Sequence, residues 1–132
     1  MVQEFHFRKT SWGIFISINI EEDDKILFSD IAVTEKIFIR VNWTDGTFKQ
    51  EIVEWFSRAI KDVFEKISIS QDICFDIKEI DFNDCHFQEE GLYYVMLGWL
   101  SEKYKFKLPP LDAYYDIEIN KYIFPSLHRG LE

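Results

Sequence analysis

The stretch IFIRVNWTDGTFKQEIVEWFSRAIKDVFEKISISQDICFDI, residues 37–77, changes its hydrophobic period twice. Ile37, Ile39, Val41 and Trp43 alternate with Phe38, Arg40 and Asn42, the period-two pattern of a strand, and their β-branched and aromatic side chains suit a pleated surface. Thr44-Asp45-Gly46 reads as a turn. Thr47 then offers a hydroxyl cap, and Gln50 can reach back to the cap amide. Glu51 and Glu54 sit where the helix dipole favours carboxylates. Ile52, Trp55, Phe56, Ala59, Ile60, Val63 and Ile67 recur at threes and fours, with Arg58, Lys61, Asp62 and Glu65 outside the stripe, which predicts an amphipathic helix lying on a sheet. Ser68 to Asp72 breaks the helix. Ile73, Phe75 and Ile77 then alternate with Cys74, Asp76 and Lys78 as a strand at or near the sheet centre.

Upstream, Ile14, Ile16, Ile18 and Ile20 alternate with Phe15, Ser17 and Asn19 as another strand. Glu4 to Arg8 is a candidate edge strand. Glu21 to Lys25 reads as a solvated acidic turn, and Ile26 to Val33 as a short strand interrupted at Asp30. Downstream, Asp81, Asn83 and Asp84 form a polar turn before a second helix from Phe87 or Gln88 to Tyr104. Leu92, Val95, Met96, Trp99 and Leu100 are its core stripe, and Tyr93, Tyr94 and Leu97 widen it. Gly98 suits a close approach of another segment. Lys103, Lys105 and Lys107 complement the negative helix end. Pro109 and Pro110 end regular structure. Tyr115, Ile117 and Ile119 then alternate as a last strand, extended by Tyr122 to Phe124.

Strands, helix, strand, helix, strand give an α/β chain of the α+β type, with two helices against a mostly antiparallel sheet of about five strands. A ferredoxin-like arrangement is one layout of this order. The 132 residues suit a single compact domain over residues 1–130, with Leu131-Glu132 read as an expression-vector remnant. Residues are 47% hydrophobic and 17% aromatic, which argues against disorder. The net charge of -9 argues against a phosphate-neutralising surface, so nucleic acid is not an expected partner. The longest strongly apolar helical stretch, Leu92 to Leu100, is too short to cross a bilayer, and Met1 to Trp12 has no signal-peptide core. Cys74 and Cys85 are too few for a disulfide framework, so a cytoplasmic protein is expected.

Chemistry-bearing residues concentrate in Asp84, Cys85, His86, Glu89 and Glu90. His86 and Glu90 could share one helix face and offer two metal ligands, but a zinc site needs a fuller set. Cys85 beside His86 is a thiol–imidazole pair, yet adjacent helical residues diverge and no oriented base is evident. His6 and His128 could join only through the fold. Asp76, Asp116 and Glu118 are carboxylates on polar strand faces, where a solvated role is the simpler reading. Gly46, Gly91 and Gly98 form no phosphate loop. No catalytic residue is assigned beyond the candidates His86, Cys85 and Glu90, and no metal or cofactor beyond a candidate His86–Glu90 pair.

Thirteen Phe, six Tyr and four Trp exceed what two short stripes require. Tyr93, Tyr94, Leu97, Tyr104 and Tyr115 are therefore the candidate partner-binding residues, since interfaces favour aromatic anchors within a charged rim. The sequence points to a non-catalytic acidic protein-interaction domain whose partner is another, basic protein, as for an inhibitor or immunity protein. Two alternatives stand beside it: a small hydrolase using Asp81–Glu90, and a structural homodimer formed through Leu92–Leu100.

Overall fold

The structure, a computed structural model, describes residues 1–8, 13–41, 49–82 and 87–128. Along the chain run β1 (Val2–Arg8), β2 (Gly13–Asp23), β3 (Ile31–Ala32), β4 (Ile37–Val41), α1 (Lys49–Phe64), β5 (Ile73–Phe82), α2 (Glu90–Tyr104), β6 (Tyr114–Asp116), β7 (Lys121–Ile123) and the single turn α3 (Pro125–His128). The five-stranded sheet has the order β1-β2-β5-β4-β3, and β6 and β7 form a separate hairpin. Neighbours are antiparallel except β4 and β5, which are parallel because α1 carries the chain back over the sheet. The result is an α+β fold, three helices on a mixed sheet. The second strand–helix–strand passage, β5–α2–β6, does not return to this sheet.

One face of the sheet buries Ile14, Ile16, Ile18 and Ile20 of β2, Ile37 and Ile39 of β4, and Phe75 and Ile77 of β5. Against them pack Ile52, Phe56, Ala59, Ile60 and Val63 of α1, the stripe expected from the threes and fours. Trp55 and Ile67 are partly buried at its margins, Ile67 beyond the helix end. Helix α2 is buried almost all round: Leu92, Val95, Met96, Leu97, Trp99 and Leu100 all belong to the core. It lies among β1, β2 and α1, and Tyr94 stacks on Phe5 at 5.5 Å and meets Phe124 at 5.1 Å. The wide apolar surface read from Leu92–Leu100 is thus met largely within the chain. The Trp99 indole donates to the Met1 carbonyl at 3.1 Å, tying the N-terminus to the helix.

Several boundaries differ from those read in the sequence, each for a local reason. Glu21 to Asp23 do not form a turn. After a register shift at Asn19/Ile20 they continue β2 alongside Asp76, Phe75 and Cys74. Ile26 to Val33 is a loop that pairs only at Ile31 and Ala32, because the Asp30 carboxylate is drawn to Leu27 N–H and to Arg40. Asp81 lies within β5 opposite Ser17. The Thr47 cap, the Thr44-Asp45-Gly46 turn, and Asn83 and Asp84 of the polar turn fall outside the described residues. The Gln50 amide nitrogen donates forward to Glu54 at 3.1 Å. Helix α2 starts at Glu90 rather than at Phe87 or Gln88, without a side-chain cap bond.

The expected last strand is instead a hairpin. Ile117 and Ile119 lie in its turn, 82% and 54% exposed, and Asn120 takes the left-handed conformation (φ 55°) that Asn tolerates better than most residues. Gln88, not singled out in the sequence, fastens this hairpin. Its amide donates to the Tyr122 carbonyl at 2.6 Å and accepts from Tyr122 N–H at 2.9 Å. A side-chain amide here does the work of a neighbouring strand. Pro125 opens α3, where a missing N–H costs no helical bond.

Candidate protein-binding surfaces

Tyr93, Tyr94 and Leu97 come together on one side of α2. They line a groove of about 300 Å³ that adjoins a second of about 790 Å³ lined by Tyr93 and Leu97 but not Tyr94. Leu108, Pro109 and Pro110 wall both grooves, since neither proline donates to a sheet or helix and the chain crosses the surface extended. Charged side chains are interspersed: Asp62, Glu65, Lys66 and Lys107 line the larger groove, and Arg58, Asp62 and Asp112 the smaller. Tyr93 donates to Asp62 Oδ2 at 2.6 Å, and Arg58 lies over the Trp55 and Tyr93 rings at 5.7 and 5.9 Å while donating to the Leu127 carbonyl. Burial, reinforced by Asp62, pushes the Tyr93 phenol well above its usual range. The Tyr94 phenol is pushed up to about 12, by burial first and Asp112 second. Both tyrosines are therefore neutral contact surfaces at neutral pH.

The other two partner candidates lie elsewhere. Tyr104 is half-buried edge-on to Phe64 and donates to Glu22 at 3.1 Å, and burial raises its phenol too. Tyr115 packs against Tyr122 in the hairpin and donates to Asn120.

The reverse face of the sheet holds a cluster whose chemistry the sequence did not reveal. Arg40, only 6% exposed, projects from β4 away from the helices. Its Nε and Nη2 grip both oxygens of Asp30 at 2.8 and 2.9 Å, and Nη1 reaches Asp23 at 2.8 Å and Asp76 at 3.4 Å. Nη2 also donates to the Lys25 carbonyl at 3.0 Å. Lys78 closes on Asp76 at 2.7 Å. Arg40 and Lys78 thus share one carboxylate, that of Asp76. The guanidinium holds Asp30 at about 2, well below the usual carboxylate range, and lowers Asp23 as well. Cys74, fully buried beside the cluster, has its thiol pushed up to about 12 by burial and by Asp30, the opposite of an activated nucleophile.

Arg40 pins the loop between β2 and β3. Within it, Leu27 N–H donates to Asp30 Oδ2 at 2.8 Å and Asp30 N–H to the Leu27 carbonyl at 3.1 Å. At its tip the Phe28 side chain is fully exposed, with Leu27 at 42% beside it. Leu27 and Phe28, apolar residues just after the acidic Glu21–Lys25 run, are the available sequence signal, and the period-two pattern places them in a strand.

The candidate reactive residues are only partly in view. Cys85 and His86 lie outside the described residues. Glu90 sits in the first turn of α2 and accepts from the Gln88 amide at 2.8 Å. His6 is exposed on β1, 3.3 Å from Glu4. Asp76 is buried rather than solvated. Asp116, in the separate hairpin, accepts from Glu118 N–H at 3.0 Å. Among the described residues, no group of three or more His, Cys, Asp or Glu side chains has the arrangement to hold a metal ion, and no helix is long and apolar enough to cross a membrane. No family model and no curated protein matches this chain.

Proposed function

We propose that this chain is a non-catalytic, acidic protein-interaction domain of the cytoplasm that binds and restrains a basic protein, in the manner of an inhibitor or immunity protein. The observation that carries the reading is the convergence of Tyr93, Tyr94 and Leu97 on adjoining open grooves with an apolar Leu108-Pro109-Pro110 wall. Grooves of a few hundred Å³ whose aromatic and apolar side chains alternate with charged ones suit side-chain anchors of a partner. Asp62 and Arg58 are already engaged, by Tyr93 and by Leu127, so they shape the groove rather than supply an acid–base pair. The net charge of -9 adds long-range attraction for a cationic surface, which speeds encounter and selects against acidic competitors.

The test is an affinity pull-down from native-source lysate at low and high salt, with the wild type and a Leu108→Asp/Leu111→Asp variant as baits. Both leucines are partly exposed, so the variant keeps the core intact. The expected result is a basic protein retained at low salt, weakened by added salt and lost from the variant. Retention that ignores both salt and the variant, or no retained protein at high bait concentration, contradicts the reading.

A further inference from the structure

We infer that the Leu27–Phe28 loop is a pre-built anchor that inserts its phenylalanine into an apolar pocket of a basic partner protein. The inference rests on the proposed reading of the chain as a protein-binding domain. It adds a contact point separate from the grooves, on the loop clamped to the reverse face of the sheet.

A fully exposed phenylalanine is unremarkable when it sits on a loop free to fold the ring back onto the protein. Here that freedom is removed. Arg40 makes five hydrogen bonds, four of them to groups at the two ends of this loop: Asp23, the Lys25 carbonyl, and both oxygens of Asp30. Lys25 N–H donates to Asp23 Oδ1 at 2.9 Å, and the Leu27–Asp30 pair closes the tip. The tip is therefore held in one shape, with the ring outward, before any partner arrives. Rigid presentation lowers the ordering cost that a mobile loop incurs on binding. Interface binding energy concentrates where a large side chain fills a well-packed, desolvated pocket.

The surroundings specify the partner's charge. Glu21 and Asp24 are exposed on the strand end and loop that lead to Phe28. A cleft of about 530 Å³ next to them is lined by Glu22, Asp23, Asp24 and Asp72 and by no lysine or arginine. Glu22 is partly matched by Lys103 at 3.5 Å and Asp23 by Arg40, which leaves Asp24 and Asp72 to dominate the rim. Lys25 is the one cation within the loop. An apolar tip with an acidic rim complements a pocket edged by lysine or arginine, and like charges would repel an acidic surface.

The test places the photo-crosslinking residue p-benzoylphenylalanine at position 28 in one version of the chain and at Leu108, on the groove wall, in another. Each is irradiated in native-source lysate. The protein joined at position 28 is then purified and titrated against the wild type and Phe28→Ala. Because Phe28 is wholly exposed, the variant keeps its fold, checked by an unchanged urea midpoint. The expected result is a basic protein cross-linked from position 28, whose affinity falls at least about 30-fold with Phe28→Ala and weakens with salt. Cross-linking from position 108 alone, an acidic partner, or an affinity within about twofold of wild type for Phe28→Ala overturns the loop assignment while leaving the interaction-domain reading standing. Cross-linking from neither position counts against both.

Discussion

On the helix-facing side of the sheet, Ile16, Ile39, Phe75 and Ile77 interlock with α1 and α2. On the reverse side, beneath the β2–β3 loop, Arg40 gathers Asp23, Asp30 and Asp76. The first face is held by apolar burial, which is non-directional and shared among many neighbours, so losing one side chain leaves a cavity that others partly fill. The second depends on one guanidinium with directional bonds. Without it, the side chains of Asp30 (0% exposed) and Asp76 (7% exposed) would stay buried with far less compensation. The difference separates two tasks. The helix face supplies the bulk of stability, and the charged face fixes one loop in one place. Replacing such a buried pair by apolar residues is often neutral or stabilising, so what distinguishes the pair is the loop position it enforces rather than net stability.

The largest effect that would sharpen this contrast is Arg40→Ala, expected to destabilise by about 3–5 kcal/mol because it strands buried carboxylates. Urea denaturation at pH 7 measures it. A loss under about 1 kcal/mol would mean that the carboxylates reach water and that the clamp is not one.

Acid should dissolve the same clamp. Asp30 sits at about 2 when folded against an ordinary 3.8, so the unfolded chain takes up its proton first. The stability this group contributes is complete above about pH 4 and is lost as the pH falls towards 2. The gap between wild type and Arg40→Ala in urea midpoint is therefore expected to narrow from pH 7 to pH 3. A constant gap would break the link between Arg40 and Asp30.

A smaller contrast lies within α2. A methyl group at Gly91 would meet Ile16 Cδ1 at 2.7 Å and Ile14 Cγ2 at 2.8 Å, both packed in the core. At Gly98 its nearest contacts would be with the Gln3 side chain, Nε2 at 2.8 Å, which can swing away. Gly91→Ala is expected to cost about 1–3 kcal/mol by overpacking. Gly98→Ala should be neutral or gain up to about 1 kcal/mol of helix propensity. Thermal melts of the two variants compare them directly, and equal effects would mean that the helix face is less tightly filled than described.

The helix face was legible because its signal is repetition. Ile14 to Ile20 and the Ile52–Val63 stripe each state their period several times over. The reverse face was not, because alternation assigns Arg40 and Asp76 to the far side of the sheet without saying whether a loop returns to cover them. Asp30 was visible only as an interruption in a strand pattern, and its partner lies ten residues on in β4. Ile117 and Ile119 alternate as a strand would, yet a short alternation fits a hairpin turn equally well once Asn120 is free to adopt a left-handed backbone. Tyr93, Tyr94 and Leu97 could be read as one surface from helical spacing. The groove beside them needed the path of Phe106 to Pro110, which carries no periodicity.

Hydrogen–deuterium exchange of the free protein tests most directly whether the loop is built before any partner binds. Slowed exchange is expected at the Lys25, Leu27 and Asp30 amides in the wild type. In Arg40→Ala these amides should exchange at the rate of an open chain while the amides of α2 stay protected. Open-chain exchange of the three amides in the wild type would contradict a pre-built loop.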